Sequence, residues 1–169
     1  LSSRGPLFRF LQSRCEEFTF SEYFDDVSPG SSKEGVPCQD VQRLTFSDHS
    51  FEVCTSTDVF EHVPDDNKAF SEVCRVLKPG GHLVFTVPLD IDSSTVDRAR
   101  SIDGRIEHLL PPEFHNDHLQ GPGKVLCFRN YGTDIVDRLA KVGFTNAWIV
   151  PPNPSGYWGY GRHIVVARR

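Results

Sequence analysis

The most regular pattern of hydrophobic and polar positions in the chain is a helical one between residues 64 and 77. Apolar side chains recur there at a spacing that places them on one face: Ala69, Phe70, Val73, Cys74, Val76 and Leu77. Asp65 and Asp66 stand in the first turn, where the helix dipole favours negative charge. The pattern predicts a helix from about Pro64 to Leu77, ended by the Lys78-Pro79-Gly80-Gly81 segment that follows.

Apolar runs on both sides of this helix predict strands. Residues 51–56 are rich in β-strand formers, and residues 82–88 are apolar on both faces, as a buried parallel strand requires. The aromatic segment 18–24 and a short segment at 36–38 are also predicted strands. A helix at 6–14, a helix at 133–142 and two strands at 148–150 and 163–167 complete the pattern.

Strands that alternate with helices predict an α/β fold with a mostly parallel sheet and helices on both faces. The last two strands have no helix between them, so we expect an antiparallel pair at one edge of the sheet. The chain has 169 residues, which suits a single domain. Open α/β sheets bind ligands beyond the carboxyl ends of their strands, which directs attention to Glu22, Asp40 and residues 55–62.

Composition and charge narrow the class of partners. The formal net charge is −5, from 18 Lys and Arg against 23 Asp and Glu, which argues against a nucleic-acid partner. No apolar run approaches the ~20 residues of a membrane span, so no membrane partner is expected. The five cysteines are odd in number and form no Cys-x-x-Cys pair, which favours a reducing, cytoplasmic setting.

A combination of four short motifs resembles a known family. The motifs are Asp40-x-x-x-Leu44-x-Phe46, Phe51-Glu52-Val53, Glu61-His62-Val63 and Leu77-Lys78-Pro79-Gly80-Gly81. With the apolar strand that follows, they resemble small-molecule class I S-adenosylmethionine-dependent methyltransferases, closely over residues 39–89 and loosely over the remainder. The resemblance implies a Rossmann-like fold, S-adenosylmethionine as the cofactor, and methyl transfer to a small-molecule acceptor that the residues do not identify. It leaves self-association into a homo-oligomer open.

The resemblance also implies roles for residues at the matching positions. Glu22 would accept hydrogen bonds from the ribose hydroxyls and Asp40 from the adenine amino group. Val41 would supply the neighbouring backbone amide and an apolar contact. The residues by themselves leave two alternatives open, a solvated acid at Glu22 and a turn-capping acid at Asp40.

Three more cofactor-binding residues are expected after the strand at residues 51–56. Thr57 and Asp58 would face the methionine end of the cofactor and the acceptor. His62 follows on the same loop or in the first helical turn. His62 is also a candidate catalytic residue, with the alternative that its ring only hydrogen-bonds to backbone within the Glu61-His62-Val63 turn.

The segment before the ribose-binding acid departs from the family pattern. A dinucleotide-type fold places a glycine-rich loop roughly 20 residues before that acid. Counting back from Glu22 reaches residues 1–5, where no Gly-x-Gly occurs and no apolar strand precedes. We therefore expect one methyltransferase-like domain over residues 1–169 that is truncated or divergent before residue 18.

Methyl transfer from a sulfonium requires alignment of the nucleophile with the methyl group, and a general base where an oxygen or nitrogen is methylated. The candidate catalytic residues are His62, His115 and His118. Residues 111–118 are predicted to cover the site as a lid, with a plain surface loop as an equal alternative.

Two other functions remain open from the sequence. His108, His115, Asp117 and His118 offer ligands that borderline metals accept, but their spacing matches no zinc signature and no metal is expected. A non-catalytic domain that keeps the fold and has lost cofactor binding is the third hypothesis.

Overall fold

The computed structural model describes residues 5–117, 121–153 and 161–169. Within these residues the helices are α1 Gly5–Arg14, α2 Asp66–Val76 and α3 Ile135–Lys141, with a 3-10 turn at Phe60–His62. The strands are β1 Ser32–Lys33, β2 Val36–Pro37, β3 Phe51–Thr57, β4 Leu77–Thr86, β5 Leu89–Asp90, β6 Val96–Asp97, β7 Ala99–Ile102, β8 Arg105–His108, β9 Phe114–Asp117, β10 Gly121–Leu126, β11 Arg129–Gly132, β12 Asn146–Val150 and β13 Ile164–Arg168. None of the helices in these ranges has the length and apolar character needed to cross a membrane.

The largest sheet of the described residues has four strands in the order β12-β13-β4-β3. β3 runs parallel to β4, whereas β13 lies antiparallel to both β4 and β12. The predicted antiparallel C-terminal pair is confirmed. β3, β4 and β12 therefore run in one direction, and of these four strands β13 alone runs in the other. The α/β fold class is confirmed, and a mostly parallel sheet stays a prediction. α2 and α3 contact each other, and helices on both faces stay a prediction.

The predicted central helix is confirmed as α2. Its N-cap is Asp65, whose side chain accepts a hydrogen bond of 3.0 Å from the backbone N–H of Lys68. The apolar face is fully buried, with Phe70 4.6 Å from Phe60 and 5.7 Å from Phe85 between ring centroids. This aromatic cluster lies beneath the segment that joins β3 to α2, and therefore supports that segment from the core.

The Lys78-Pro79-Gly80-Gly81 segment lies inside β4 and does not end the helix. α2 ends earlier, because Leu77 already has extended backbone angles and pairs with Phe51 of β3. Gly81 is required there, since a Cβ atom would lie 2.9 Å from the carbonyl oxygen of Glu52 on the neighbouring strand. The predicted role as strand entry is confirmed, and the predicted role as helix stop is wrong.

The aromatic segment at residues 18–24 is not a strand. Phe18 and Phe20 pack on Phe8 of α1, with ring centroids 5.4 and 5.3 Å apart, so their side chains are used against a helix. Only Glu22 makes a β-bridge, a parallel one to Cys38. Alternating aromatic residues match the strand period, but tertiary packing against α1 decides the conformation.

Candidate active site

Five of the predicted site residues line one cavity of about 450 Å³. They are Glu22, Asp40, Val41, Asp58 and His62. Thr57 is the exposed last residue of β3 and is not among the lining residues. His115 lies behind His62, and His118 falls outside the described residues.

Glu22 and Asp40 are brought together by their backbones. The N–H of Glu22 donates to the carbonyl of Pro37 at 3.0 Å, and the carbonyl of Glu22 accepts from the N–H of Gln39 at 2.8 Å. Asp40 Oδ1 accepts from the backbone N–H of Gln42 at 2.8 Å and from its side-chain amide at 3.3 Å. The turn-capping alternative for Asp40 is therefore confirmed for this oxygen, and the adenine role stays a prediction.

Asp58 is held at the carboxyl end of β3 by the neighbouring strand. Its backbone has a positive φ of 50°, and its N–H donates to the carbonyl of Thr86 at 2.9 Å. The Thr86 hydroxyl donates to Asp58 Oδ1 at 3.2 Å, and Arg162 forms an ion pair with Oδ2. A left-handed residue at a strand end turns the chain sharply toward the 3-10 turn at Phe60–His62.

The opposite wall of the cavity comes from the long segment after β5. Ile106 of β8 and Lys124, Val125 and Leu126 of β10 line it. None of residues 111–116 is among the lining residues, and the predicted lid at residues 111–118 stays a prediction. β9 instead pairs with β10 and sits one strand behind the wall.

Glu61 is a buried acid that belongs to one of the four sequence motifs but is not among the predicted site residues. Its side chain is 1% exposed, and neither carboxylate oxygen has a hydrogen-bond partner among the described residues. Burial raises the pKa of Glu61 to about 8, and the negative charge of Asp58 adds to the effect. The sequence did hold a signal, since Glu61 interrupts the apolar residues Val59, Phe60 and Val63.

His62 and His115 contact each other edge to face, with ring centroids 4.8 Å apart. His62 Nδ1 lies 2.8 Å from the carbonyl oxygen of Leu126, and His115 Nε2 lies 3.0 Å from Glu113 Oε1. The hydrogen bond from His115 is the main cause that lowers the pKa of Glu113. His62 Nδ1 thus bonds to a backbone carbonyl outside the Glu61-His62-Val63 turn, and a catalytic role stays a prediction.

A buried arginine fixes the loop that carries Glu61 and His62. Arg129 of β11 is 4% exposed and donates to the carbonyls of Phe60, Val63 and Pro64 at 3.1, 2.7 and 2.8 Å. Its Nε lies 3.5 Å from a carboxylate oxygen of Asp66, which also pairs with Arg138 and Tyr131. The loop is therefore held from the C-terminal half of the chain, which no local sequence pattern indicates.

Tyr23 and Gln42 also line the cavity and were not predicted. Burial is the main cause that raises the pKa of the Tyr23 phenol, followed by the charges of Asp25 and Asp40. Both residues are direct neighbours of predicted ones, so adjacency to Glu22 and Val41 was the available signal.

The acid-lined cavity lies beyond the carboxyl end of β3, where open α/β sheets bind their ligands. Residues 4–85 match the family model described as a methyltransferase domain. Over these residues the chain is similar to the class I S-adenosylmethionine-dependent methyltransferase family. The resemblance stated from the four motifs is thereby confirmed.

Two curated relatives illustrate the range of this similarity. The glycine/sarcosine/dimethylglycine N-methyltransferase of Actinopolyspora halophila is 32% identical over 102 residues, which are 60% of this chain and 15% of that protein. The ubiquinone biosynthesis O-methyltransferase of Coxiella burnetii is 37% identical over 71 residues, 39% of this chain and 30% of that protein. The chain thus spans less than a third of the length of either relative.

Solved structures share the fold at low sequence identity. A chain in the complex containing the Haloferax volcanii Trm112 methyltransferase activator aligns with a TM-score of 0.50 at 14% identity, covering 82% of this chain and 63% of that chain. An S-adenosylmethionine dependent methyltransferase from Mesorhizobium loti aligns with a TM-score of 0.49 at 20% identity, covering 82% and 72%. The first of these likenesses supports the shared fold and nothing finer.

Proposed function

We propose that this chain binds S-adenosylmethionine in the acid-lined cavity and transfers its methyl group to a small-molecule acceptor. The observation that carries the proposal is the convergence of Glu22, Asp40, Asp58 and His62 on one cavity of about 450 Å³. That volume falls within the ~300–1,000 Å³ of small-molecule sites. The match of residues 4–85 to a methyltransferase domain supports the choice of cofactor.

The cavity residues fit both ends of the cofactor. Glu22 would accept hydrogen bonds from the ribose hydroxyls, and Asp40 would accept from the adenine amino group through the oxygen that does not cap the turn. Val41 is nearly buried and offers an apolar contact beside it. Asp58 would face the positively charged amino group of the methionine half.

The cofactor supplies an electrophilic methyl group on a positively charged sulfur when it is bound. The chain itself excludes water, orients the acceptor and accepts a proton. The Leu126 carbonyl can only accept a hydrogen bond, so Nδ1 of His62 carries the hydrogen and Nε2 is the basic nitrogen of the neutral ring. His62 is the cavity-lining candidate for the proton acceptor, and His115 supports it from behind.

A methyltransferase-like domain that has lost cofactor binding is the second candidate. The turn at Asp40 favours it, because the hydrogen bonds from Gln42 already occupy one carboxylate oxygen of the adenine-binding candidate. This candidate predicts a folded chain that gives no binding heat with the cofactor.

Titration calorimetry with S-adenosylmethionine tests the proposal. We expect micromolar binding by the unaltered chain and roughly tenfold weaker binding by Glu22→Gln, the loss of one charge-assisted hydrogen bond of about 1.5 kcal/mol. Glu52→Gln is the matched control, because Glu52 is exposed near the start of β3 and pairs with Lys78. Silence from a protein with a cooperative unfolding transition would overturn the proposal in favour of the non-binding domain.

The acceptor and the setting complete the proposal. One of the two relatives named above is an N-methyltransferase and the other an O-methyltransferase. We therefore propose an acceptor whose nucleophile is either a nitrogen or an oxygen atom. All five cysteines have free thiols, which fits the proposed reducing, cytoplasmic setting. A small molecule remains the proposed partner, because the chain carries a net charge of −5.

A further inference from the structure

Three potential metal ligands from distant segments converge beside the cavity. Glu61 and His62 lie in the 3-10 turn after β3, and His115 lies on β9. Glu61 Oε1 is 3.7 Å from His62 Nε2 and 3.9 Å from His115 Nδ1. One ligand atom from each of the three residues lies within 4.8 Å of the other two.

The hydrogen bonds of the two imidazoles fix which nitrogen faces Glu61. His62 Nδ1 and His115 Nε2 each contact a group that accepts a hydrogen bond, the carbonyl of Leu126 and the carboxylate of Glu113. Both of these nitrogens therefore carry the hydrogen, and the other nitrogen of each neutral ring presents its lone pair toward Glu61. Metal-ligating histidines have this arrangement, with the outer N–H bound to a carbonyl or a carboxylate.

The carboxylate of Glu61 has no other described function to serve. It is 1% exposed, and neither of its oxygens has a hydrogen-bond partner among the described residues. An unpaired buried carboxyl group is costly, and metal coordination is one of the few ways in which proteins compensate it. From this geometry we infer that Glu61, His62 and His115 form a binding site for a divalent transition metal ion of the zinc class.

The donor set selects the kind of metal. Two imidazole nitrogens and one carboxylate oxygen suit zinc and its transition-metal neighbours, whereas magnesium and calcium prefer all-oxygen sites. Tetrahedral ligands at about 2.1 Å from zinc lie about 3.4 Å from each other, so the side chains need to close by only a few tenths of an ångström at the two measured distances. Cys127 belongs to a second cluster with Glu113 and His115, and its thiol donates a hydrogen bond of 3.1 Å to the carbonyl of Arg129.

This site differs from the metal hypothesis that the sequence raised. That hypothesis combined His115 with His108, Asp117 and His118, whereas this site combines His115 with Glu61 and His62. His108 is an exposed residue of β8 outside both described clusters of potential ligands. The inference does not rest on the proposed methyl transfer. A metal on His62 Nε2 excludes that nitrogen as a proton acceptor, so the two roles of His62 are distinguishable by adding a chelator.

The test is a titration of ZnCl2 into the full chain after treatment with a chelator and dialysis, without S-adenosylmethionine. We expect one zinc ion per chain, and a Co2+-loaded protein with the visible absorption of a low-coordinate site. Glu61→Gln and His115→Ala should each weaken zinc binding by about 100-fold or more, and Glu113→Gln by about 10- to 100-fold, since outer partners contribute that much. Circular dichroism of each variant verifies that it is folded.

His108→Ala is the matched control, because it removes an exposed imidazole outside both clusters of potential ligands and should leave zinc affinity unchanged. Zinc binding that survives both Glu61→Gln and His115→Ala would overturn the site and assign the ion to other groups, such as the exposed thiol of Cys15. Absence of zinc binding in the folded, unaltered chain would overturn it as well. Loss of cofactor binding with retained zinc binding would instead contradict only the proposed function.

Discussion

The buried Glu61 makes the stability of the chain depend on pH in an uncommon direction. Its pKa is raised from 4.5 to about 8 in the folded state, so folding favours the protonated acid. The folded state therefore binds the proton more tightly than the unfolded state. Stability from this group is fully present below the unfolded pKa and is lost as the pH rises toward the folded pKa. Glu61→Gln removes the titration and keeps the shape of the side chain.

The size of the effect follows from the same pKa values. At about pH 7 the carboxyl group of Glu61 is ionised in the unfolded state and still mostly protonated in the folded state. The free energy of unfolding of the unaltered chain is therefore about 3 kcal/mol lower than at low pH. At about pH 5 the corresponding decrease is about 1 kcal/mol. The stability of Glu61→Gln relative to the unaltered chain should therefore increase by about 2 kcal/mol between these two pH values.

Urea unfolding, followed by tryptophan fluorescence with a chelator present, measures this difference. The chelator is needed because a bound metal would hold Glu61 ionised. Glu52→Gln is the control, since Glu52 is exposed, its pKa is lowered by Lys78, and its difference from the unaltered chain should change little over this range. A constant difference between Glu61→Gln and the unaltered chain at both pH values would refute the reasoning.

Three further outcomes are expected. Arg129→Met should lower the free energy of unfolding by about 3–5 kcal/mol in urea titrations, because it leaves the buried carboxylate of Asp66 with fewer partners; a loss below about 1 kcal/mol would contradict a stabilising role of Arg129. Asp58→Asn should weaken S-adenosylmethionine binding by about tenfold in calorimetry, in proportion to one lost charge interaction, and unchanged affinity would remove Asp58 from the site. Zinc at about 100 times its Kd should stabilise the unaltered chain by roughly 2.7 kcal/mol in thermal unfolding, and the same shift in Glu61→Gln would count against the metal site.

The elements that the sequence predicts well are those whose own pattern decides the outcome. The apolar face of α2 and the acids at its start indicate the helix without reference to the rest of the chain, and the apolar β4 is predicted for the same reason. The aromatic segment at residues 18–24 was predicted wrongly, because Phe18 and Phe20 are used against Phe8 of α1. Local period is informative only where tertiary contacts agree with it.

The acids that line the candidate site could be predicted from the sequence, whereas the contact between Glu61 and His115 behind the cavity could not. Glu22, Asp40 and Asp58 could be proposed because each follows a strand-like segment and matches a family position. Glu61 and His115 could not be paired from sequence, since their contact depends on how β9 packs behind β10. The hydrogen-bonded orientation of each imidazole is likewise a property of the folded chain alone.

The position of Arg129 bears on where this protein can be truncated. The matched methyltransferase domain ends at residue 85, yet the guanidinium that holds the carbonyls of Phe60, Val63 and Pro64 comes from β11, well beyond that boundary. β4 also takes one of its two neighbours, β13, from the last residues of the chain. A polypeptide cut back to residues 4–85 would therefore lack both the arginine that holds these carbonyls and one of the two strands that pair with β4.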